Sequence, residues 1–250
     1  MSEQLQSDFD KIVKNSKFSN REIQLKKDFL NKFIESGFPN RKQEDWKFLD
    51  ISQIIKKNIS DLSYFIDYSQ SNKIDPSTFV DGLEHNKIIF LNGRIEKIDF
   101  NHEDKSKIEI SDETKKDISF NYENSLIDLN SAFTDKVFKI LVKKDYSLKK
   151  PLIIYHSTND SIKSTNINLR LDFELGENSC LKLIDYFTNN ATKNFINIFY
   201  NFNLEKDSIL KNYKIDKFRN DNLTYSFNNI EQVNNSISET FILSAGSDYL

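Results

Sequence analysis

Val142-Lys-Lys-Asp145-Tyr-Ser-Leu148, Leu175-Gly-Glu-Asn178-Ser-Cys-Leu181 and Leu204-Glu-Lys-Asp207-Ser-Ile-Leu210 are one phrase written three times. Each copy runs from an apolar residue through two polar ones to Asp or Asn, and closes three residues later on Leu. The starts lie 33 apart (175 − 142) and 29 apart (204 − 175). Self-similarity at such a period points to a stacked array. The flanks alternate apolar and polar with a period of two: Ile167-Asn-Leu-Arg-Leu-Asp-Phe-Glu-Leu175 before the second copy, Phe195-Ile-Asn-Ile-Phe-Tyr-Asn-Phe-Asn-Leu204 before the third. That alternation marks strands with one buried face. The central Asp or Asn suits a tight turn, because its short side chain bonds nearby backbone and tolerates a left-handed conformation. Each repeat therefore reads as strand, turn, strand, with Leu148, Leu181 and Leu210 in equivalent inward positions. A plain antiparallel meander would alternate in the same way without stacking; the repeat favours the solenoid.

Outward from this array, the signals are local. Ser19-Asn-Arg-Glu22 is a capping box. The stripe Ile23, Phe29, Leu30, Phe33 and Ile34 follows it, and Gly37 and Pro39 end the helix. A shorter helix is expected around Phe9, Ile12 and Val13. Trp46, Phe48 and Leu49 read as an aromatic plug beneath a helix. Residues 50–80 read as mixed helix and loop with a turn at Asp75-Pro. Lys87 to Leu91 and Arg94 to Phe100 flank Asn92-Gly93, the strongest short hairpin signal. Residues 101–120 are polar and expected to be exposed, Leu126 to Phe133 a short helix. The repeats should run to about Phe227, with the array stopping unfinished near Leu250, as in a fragment. The organisation expected is a mainly helical region over 1–85 and a hairpin plus β-helix core over 86–250.

Composition bounds the rest. The chain has 250 residues, 38% hydrophobic and 29% charged, with a net charge of −3 that gives no reason to expect nucleic acid or an anionic membrane as partner. No run is long and apolar enough to span a bilayer. The N-terminus has no secretory pattern, and one cysteine fits a reducing compartment, so the cytoplasm is the default. Only five of the 35 basic residues are Arg (Arg21, Arg41, Arg94, Arg170, Arg219), which reads as a codon bias.

Catalytic chemistry has little to stand on. His85, His102 and His156 are far apart with no metal-ligand spacing, and read as surface or loop residues. There is no phosphate-binding loop and no nucleophile elbow. Cys180 aligns with Ser147 and Ile209, so it reads as a packing position. Glu174, Glu177 and Asp185 read as strand-borne charges on a solvated face. No catalytic, cofactor-binding or metal-ligating residue is assigned.

Several segments together carry a family resemblance. Phe38-Pro-Asn-Arg41-Lys-Gln-Glu44-Asp-Trp46-Lys-Phe resembles the P-x-x-R-x-E-x-W-K-Y/F element of the SufB/SufD iron–sulfur cluster assembly family, on its SufD branch. Ile89-Phe-Leu-Asn92-Gly93-Arg94 is similar to that family's V/I-F-x-N-G hairpin. Leu129-Asn130-Ser-Ala132-Phe133, Val142 to Leu148 and Pro151-Leu-Ile-Ile resemble its L-N-x-A-F … P-I-x-I run. Arg170 to Asp185 resembles R-x-x-I-x-L-G-E-x-A-x-L-x-L-I-E, with Asp185 where the family has Glu. The resemblance implies a right-handed parallel β-helix after an N-terminal helical region. It also implies a non-catalytic scaffold partnered by SufB and the ATPase SufC, the iron–sulfur cluster being handled by the complex and no cofactor bound by this chain alone. Family members continue past the equivalent of Leu250, and their His and Cys positions linked to cluster assembly, with the SufC-docking end, lie in that part; no residue here inherits those roles. Two other readings remain: an unrelated β-solenoid interaction module, and a carbohydrate-active β-helix enzyme in which Arg170, Lys182 and Asp185 would be recruited.

Overall fold

A computed structural model describes residues 2–59, 61–68, 79–113, 123–189, 193–217 and 222–245. The chain is a mainly β molecule: a parallel β-solenoid of about three turns behind an N-terminal helical region.

Four strand–turn–strand units build the solenoid: β4 (Val137–Val142) with β5 (Leu152–Thr158), β6 (Asn166–Leu175) with β7 (Cys180–Asn189), β8 (Phe195–Leu204) with β9 (Ile209–Lys217), and β10 (Leu223–Gln232) with β11 (Ile237–Ala245). Even-numbered strands stack into one sheet and odd-numbered strands into the other. All pairings between successive units are parallel: Leu175 lies beside Leu204, and Leu181 beside Leu210. An antiparallel meander would have paired β6 with β7 instead. The turns stack as well. Asp145, Asn178 and Asp207 all sit at positive φ, between 57° and 58°, the region Asn and Asp tolerate best among residues with a Cβ. Asp145 N–H donates to Glu177 O at 2.9 Å and Asn178 N–H to Lys206 O at 3.1 Å, so the hydrogen-bond ladder continues through the corners.

The expected inward leucines hold. Leu181 and Leu210 are fully buried, and half-buried Leu148 packs against the same core. That core lies between the sheets and takes the period-two faces of β6 (Ile167, Leu169, Leu171, Phe173, Leu175) and β8 (Ile196, Ile198, Tyr200, Phe202, Leu204). The array extends further than the repeat showed. Asn235, at φ 61°, is a fourth corner, and β10–β11 a fourth unit. Its closing positions are Gln232 and Ser238, paired with Leu204 and Leu210, so the leucine signal is lost there.

Two strands precede the array. β1 (Asn86–Leu91) pairs with β2 (Arg94–Asp99) in the expected hairpin, with Asn92 and Gly93 both at positive φ, and its other edge joins β5 in parallel. β3 (Ile108–Glu113) pairs antiparallel with β4. The expectation that residues 101–120 are merely exposed is thus corrected over the part described; 114–120 lie outside the described residues. Glu103 is buried there. It accepts hydrogen bonds from Asn86 Nδ2 (2.8 Å), Tyr146 Oη (2.7 Å) and the backbone N–H groups of Lys149 and Lys150 (3.1 and 3.0 Å). These bonds fix the two extra residues that lengthen the first unit. Burial pushes the Glu103 carboxyl up, but the donors more than offset it and hold it below the usual carboxylate range.

The helices are α1 (Ser2–Asn15), α2 (Asn20–Ser36), α3 (Ile51–Asn58) and α4 (Ser125–Phe133). The capping box forms: Ser19 Oγ accepts from Glu22 N–H, and Glu22 accepts from Ser19 N–H. Phe29, Leu30 and Phe33 bury against α1, α4, Phe195 and Tyr225. Lys26, on the same buried face, donates to the carbonyls of Ser131 (3.1 Å) and Thr134 at the end of α4. Trp46 is half-buried against Tyr225, as a plug should be; Phe48 is 85% exposed and is not part of it. The turn at Asp75-Pro lies outside the described residues. Among the described residues no helix is long and apolar enough to cross a membrane.

Candidate functional site: the polar interior of the last turns

Inward positions of a solenoid should be apolar, and Ile88 and Phe90 of β1, with Leu152 and Ile154 of β5, are. Farther along they change character. The column Ile88, Ile154, Asp185, Lys214 crosses β1, β5, β7 and β9, each residue in register with the next. The neighbouring column is Phe90, His156, Phe187. Opposite, on β10, the residues paired with Ile196, Ile198 and Tyr200 are Thr224, Ser226 and Asn228.

Asp185, His156 and Tyr200 converge. Asp185 Oδ1 accepts from Tyr200 Oη at 2.8 Å and lies 3.0 Å from His156 Nε2; Tyr200 Oη is 3.1 Å from the same nitrogen. Phe90 and Phe187 sandwich the imidazole, with centroids 5.8 and 4.6 Å away and planes within 19°. Lys214 Nζ donates to Ser226 Oγ (2.8 Å) and Asn228 Oδ1 (3.0 Å) and lies 4.3 Å over the Tyr200 ring. Burial, the Asp185 charge and the hydrogen bond to it push the Tyr200 phenol well above its ordinary range. Burial draws the Lys214 ammonium down, and Asp185 opposes that shift. A lone carboxylate in this core would cost several kcal/mol; one ammonium and two directed donors make it tolerable. Asp185 Oδ2, His156 Nδ1 and both amide atoms of Asn212 make no hydrogen bond to protein.

These residues are where the sequence reading was least right. His156 was expected at the surface or in a loop and Asp185 on a solvated face. Both are buried, because β5 and β7 run through the middle of the odd-numbered sheet. In β5 the signal was masked: every residue of Leu152–Thr158 is buried, so no alternation distinguishes in from out. In β7 it was legible, since Asp185 stands two and four residues after Leu183 and Leu181, on their face. His85 is half-buried, its Nε2 2.9 Å from Tyr155 Oη, and His102 is exposed. Glu174 and Glu177 are half-buried on the outside and pair with Lys139 and Lys144. Cys180 is in register with Ser147 and Ile209, as aligned. Arg170 lies far from the interior cluster's face: it is buried on the outside of β6, over the Phe199 ring and beside Asp172, and does not join Lys182 and Asp185.

In this closed arrangement the polar groups face one another, and Asp185 and Tyr200 have no exposed surface. Chemically the cluster can hold a proton or a charge inside the coil and fix the register of three turns. No group of three or more His, Cys, Asp or Glu placed to hold a metal ion occurs among the described residues. No protein-family model matches the chain, and no curated protein matches it.

Proposed function

We propose that the chain is a scaffold subunit of an iron–sulfur cluster assembly complex of the SUF type, the SufD-like partner of SufB and the ATPase SufC. It works in the cytoplasm and contributes a rigid platform, with no catalytic group of its own. The observation that carries this reading is where the resembling segments fall. They are consecutive joints of one solenoid. Phe38 and Trp46 anchor the first against Phe195 and Tyr225. Asn92-Gly93 turns the hairpin that opens the odd-numbered sheet. Asn130 of the third donates to the carbonyls of Leu169 and Asn197, both at 2.9 Å, and so pins α4 across β6 and β8. Gly176 and Asn178 of the fourth form a stacked corner. A set of weak matches that are structurally interdependent is better support than the same matches scattered through unrelated loops. The residues of the first segment that do not pack, Arg41 to Asp45, are exposed.

Anaerobic co-expression with SufB tests it. A complex with SufB that survives affinity purification and gel filtration is expected; two proteins that elute separately would overturn the reading. Cys180→Ser should leave that association and cluster delivery unchanged, since the position accepts Ser and Ile in neighbouring turns.

A further inference from the structure

Four inward residues from successive units close a square across the coil. Asp185 and Lys214 are register neighbours on β7 and β9, and Tyr200 and Asn228 are register neighbours on β8 and β10. Two sides of the square cross the interior: Tyr200 Oη donates to Asp185 Oδ1 at 2.8 Å, and Lys214 Nζ donates to Asn228 Oδ1 at 3.0 Å. Asp185 and Tyr200 are fully buried, Lys214 is 7% exposed, and Asn228 is half-buried. An amine, a carboxamide that accepts its hydrogen bond and a carboxylate with one oxygen lacking a partner, Asp185 Oδ2, therefore share one part of the interior. A 3.0 Å hydrogen bond to Oδ1 sets Nζ about 3.8 Å from the carbonyl carbon, for a C=O length of about 1.23 Å. Reacting atoms stand about 3–3.5 Å apart. The remaining step of about 0.5 Å is within reach of a flexible four-carbon side chain.

We propose that Lys214 and Asn228 join in an intramolecular isopeptide bond that fastens the fourth unit to the third. Lys214 Nζ attacks Asn228 Cγ; the Nζ–Cγ bond forms, the Cγ–Nδ2 bond breaks, and the amide nitrogen leaves as ammonia. The ammonium brings three protons and the carboxamide two; one stays on the new amide, three leave with the ammonia, and one passes to the Asp185 carboxylate. Nothing is oxidised or reduced, and no co-reactant is needed. Burial draws the Lys214 ammonium down, which favours the neutral amine that attacks. Asp185 is the proton acceptor at hand. It is the charge that faces Lys214, and Tyr200 takes only its Oδ1. The interior supplies the driving force. The reactants are an ion pair held away from water, where desolvation is costly; the products are an amide and a neutral carboxyl, and ammonia escapes to solvent. Lys26 shows the contrast: it is equally buried, but it donates to the backbone carbonyls of Ser131 and Thr134, not to a side-chain amide.

Intact-mass spectrometry of the wild-type chain, denatured after overnight incubation in the folded state, tests it. The expected mass lies about 17 Da below that of the sequence, the mass of one ammonia. Trypsin should then release residues 212–217 linked to residues 220–250, uncut after Lys214. Succinimide formation at Asn92-Gly93 would lower the mass by the same amount, so the linked peptide decides. A chain kept in concentrated urea over the same period should retain its full mass. So should Lys214→Met and Asp185→Asn, with circular dichroism confirming that each is folded; the wild-type measurement stands without them. Full sequence mass in the folded wild type would overturn the proposal, as would a deficit mapped to any other site. A bond that forms in urea, or in Asp185→Asn, would overturn it too. None of these readouts involves SufB or SufC, so the bond and the scaffold reading stand or fall separately.

Discussion

Asp185 and Lys214 sit in neighbouring turns of one column, and each makes the other's burial tolerable. Their removal is therefore asymmetric. Asp185→Ala leaves a buried ammonium and a phenol that has lost its acceptor, and should lower unfolding free energy by about 3–5 kcal/mol. Urea denaturation checks this; a loss below about 1 kcal/mol would mean that the cluster is solvated. Lys26 offers a second test at this scale, read through pH. Burial brings its ammonium from the ordinary 10.5 down to about 8, with Asp135 opposing the shift. Between those values the unfolded chain holds the proton more tightly than the folded one, so stability must rise with pH across that window. The penalty is complete below about pH 8 and relieved by about pH 10.5, amounting to about 3 kcal/mol at most. The unfolding free energy of the wild type minus that of Lys26→Met should accordingly increase from pH 7.5 to pH 10; a flat or falling difference would contradict the burial of the charge.

At the scale of elements, the corners matter more than the strands. Gly176 opens the second corner with its N–H on Val142 O at 2.8 Å. A Cβ built there would stand 2.6 Å from Lys144 N and 3.0 Å from Lys143 C, both backbone atoms of the preceding turn. Gly176→Ala must push two stacked corners apart, at about 1–3 kcal/mol. Thermal unfolding measures it, and an unchanged midpoint would mean that the corners do not touch. Corner chemistry is also why so much of the fold could be read from sequence. Asp145, Asn178 and Asp207 announced their turns, as Ser19 with Glu22 announced α2 and Asn92-Gly93 the hairpin. Each of these signals rests on side chain meeting backbone within a few residues. What escaped notice depended on distant partners. The fourth corner kept Asn235 but lost both leucines, because β10 and β11 line the polar stretch of the interior. β3 looks like a charged loop until β4 supplies its ladder. The interior cluster unites residues 29 and 44 positions apart from His156, a separation no local pattern reports.

For the molecule as a whole, the two sheets share stacked corners along one axis, with helices on the outside of the even-numbered sheet. Contacts between residues about 29 positions apart repeat along the axis, so each turn is held by its neighbours. The parallel stacking of β6 on β8 is the claim from which the interior cluster and the stacked corners both follow. It can be tested by cross-linking Glu174→Cys with Asn203→Cys in a Cys180→Ser background. These positions are register partners on the outside of the even-numbered sheet, and neighbouring parallel strands bring Cα atoms within the roughly 4.4–6.8 Å that a disulfide needs. Mild oxidation of the folded protein should join them, with the linked peptides identified by mass spectrometry. Failure of that bond, together with ready cross-linking of Glu174→Cys to Leu181→Cys as in a β6–β7 hairpin, would contradict the solenoid.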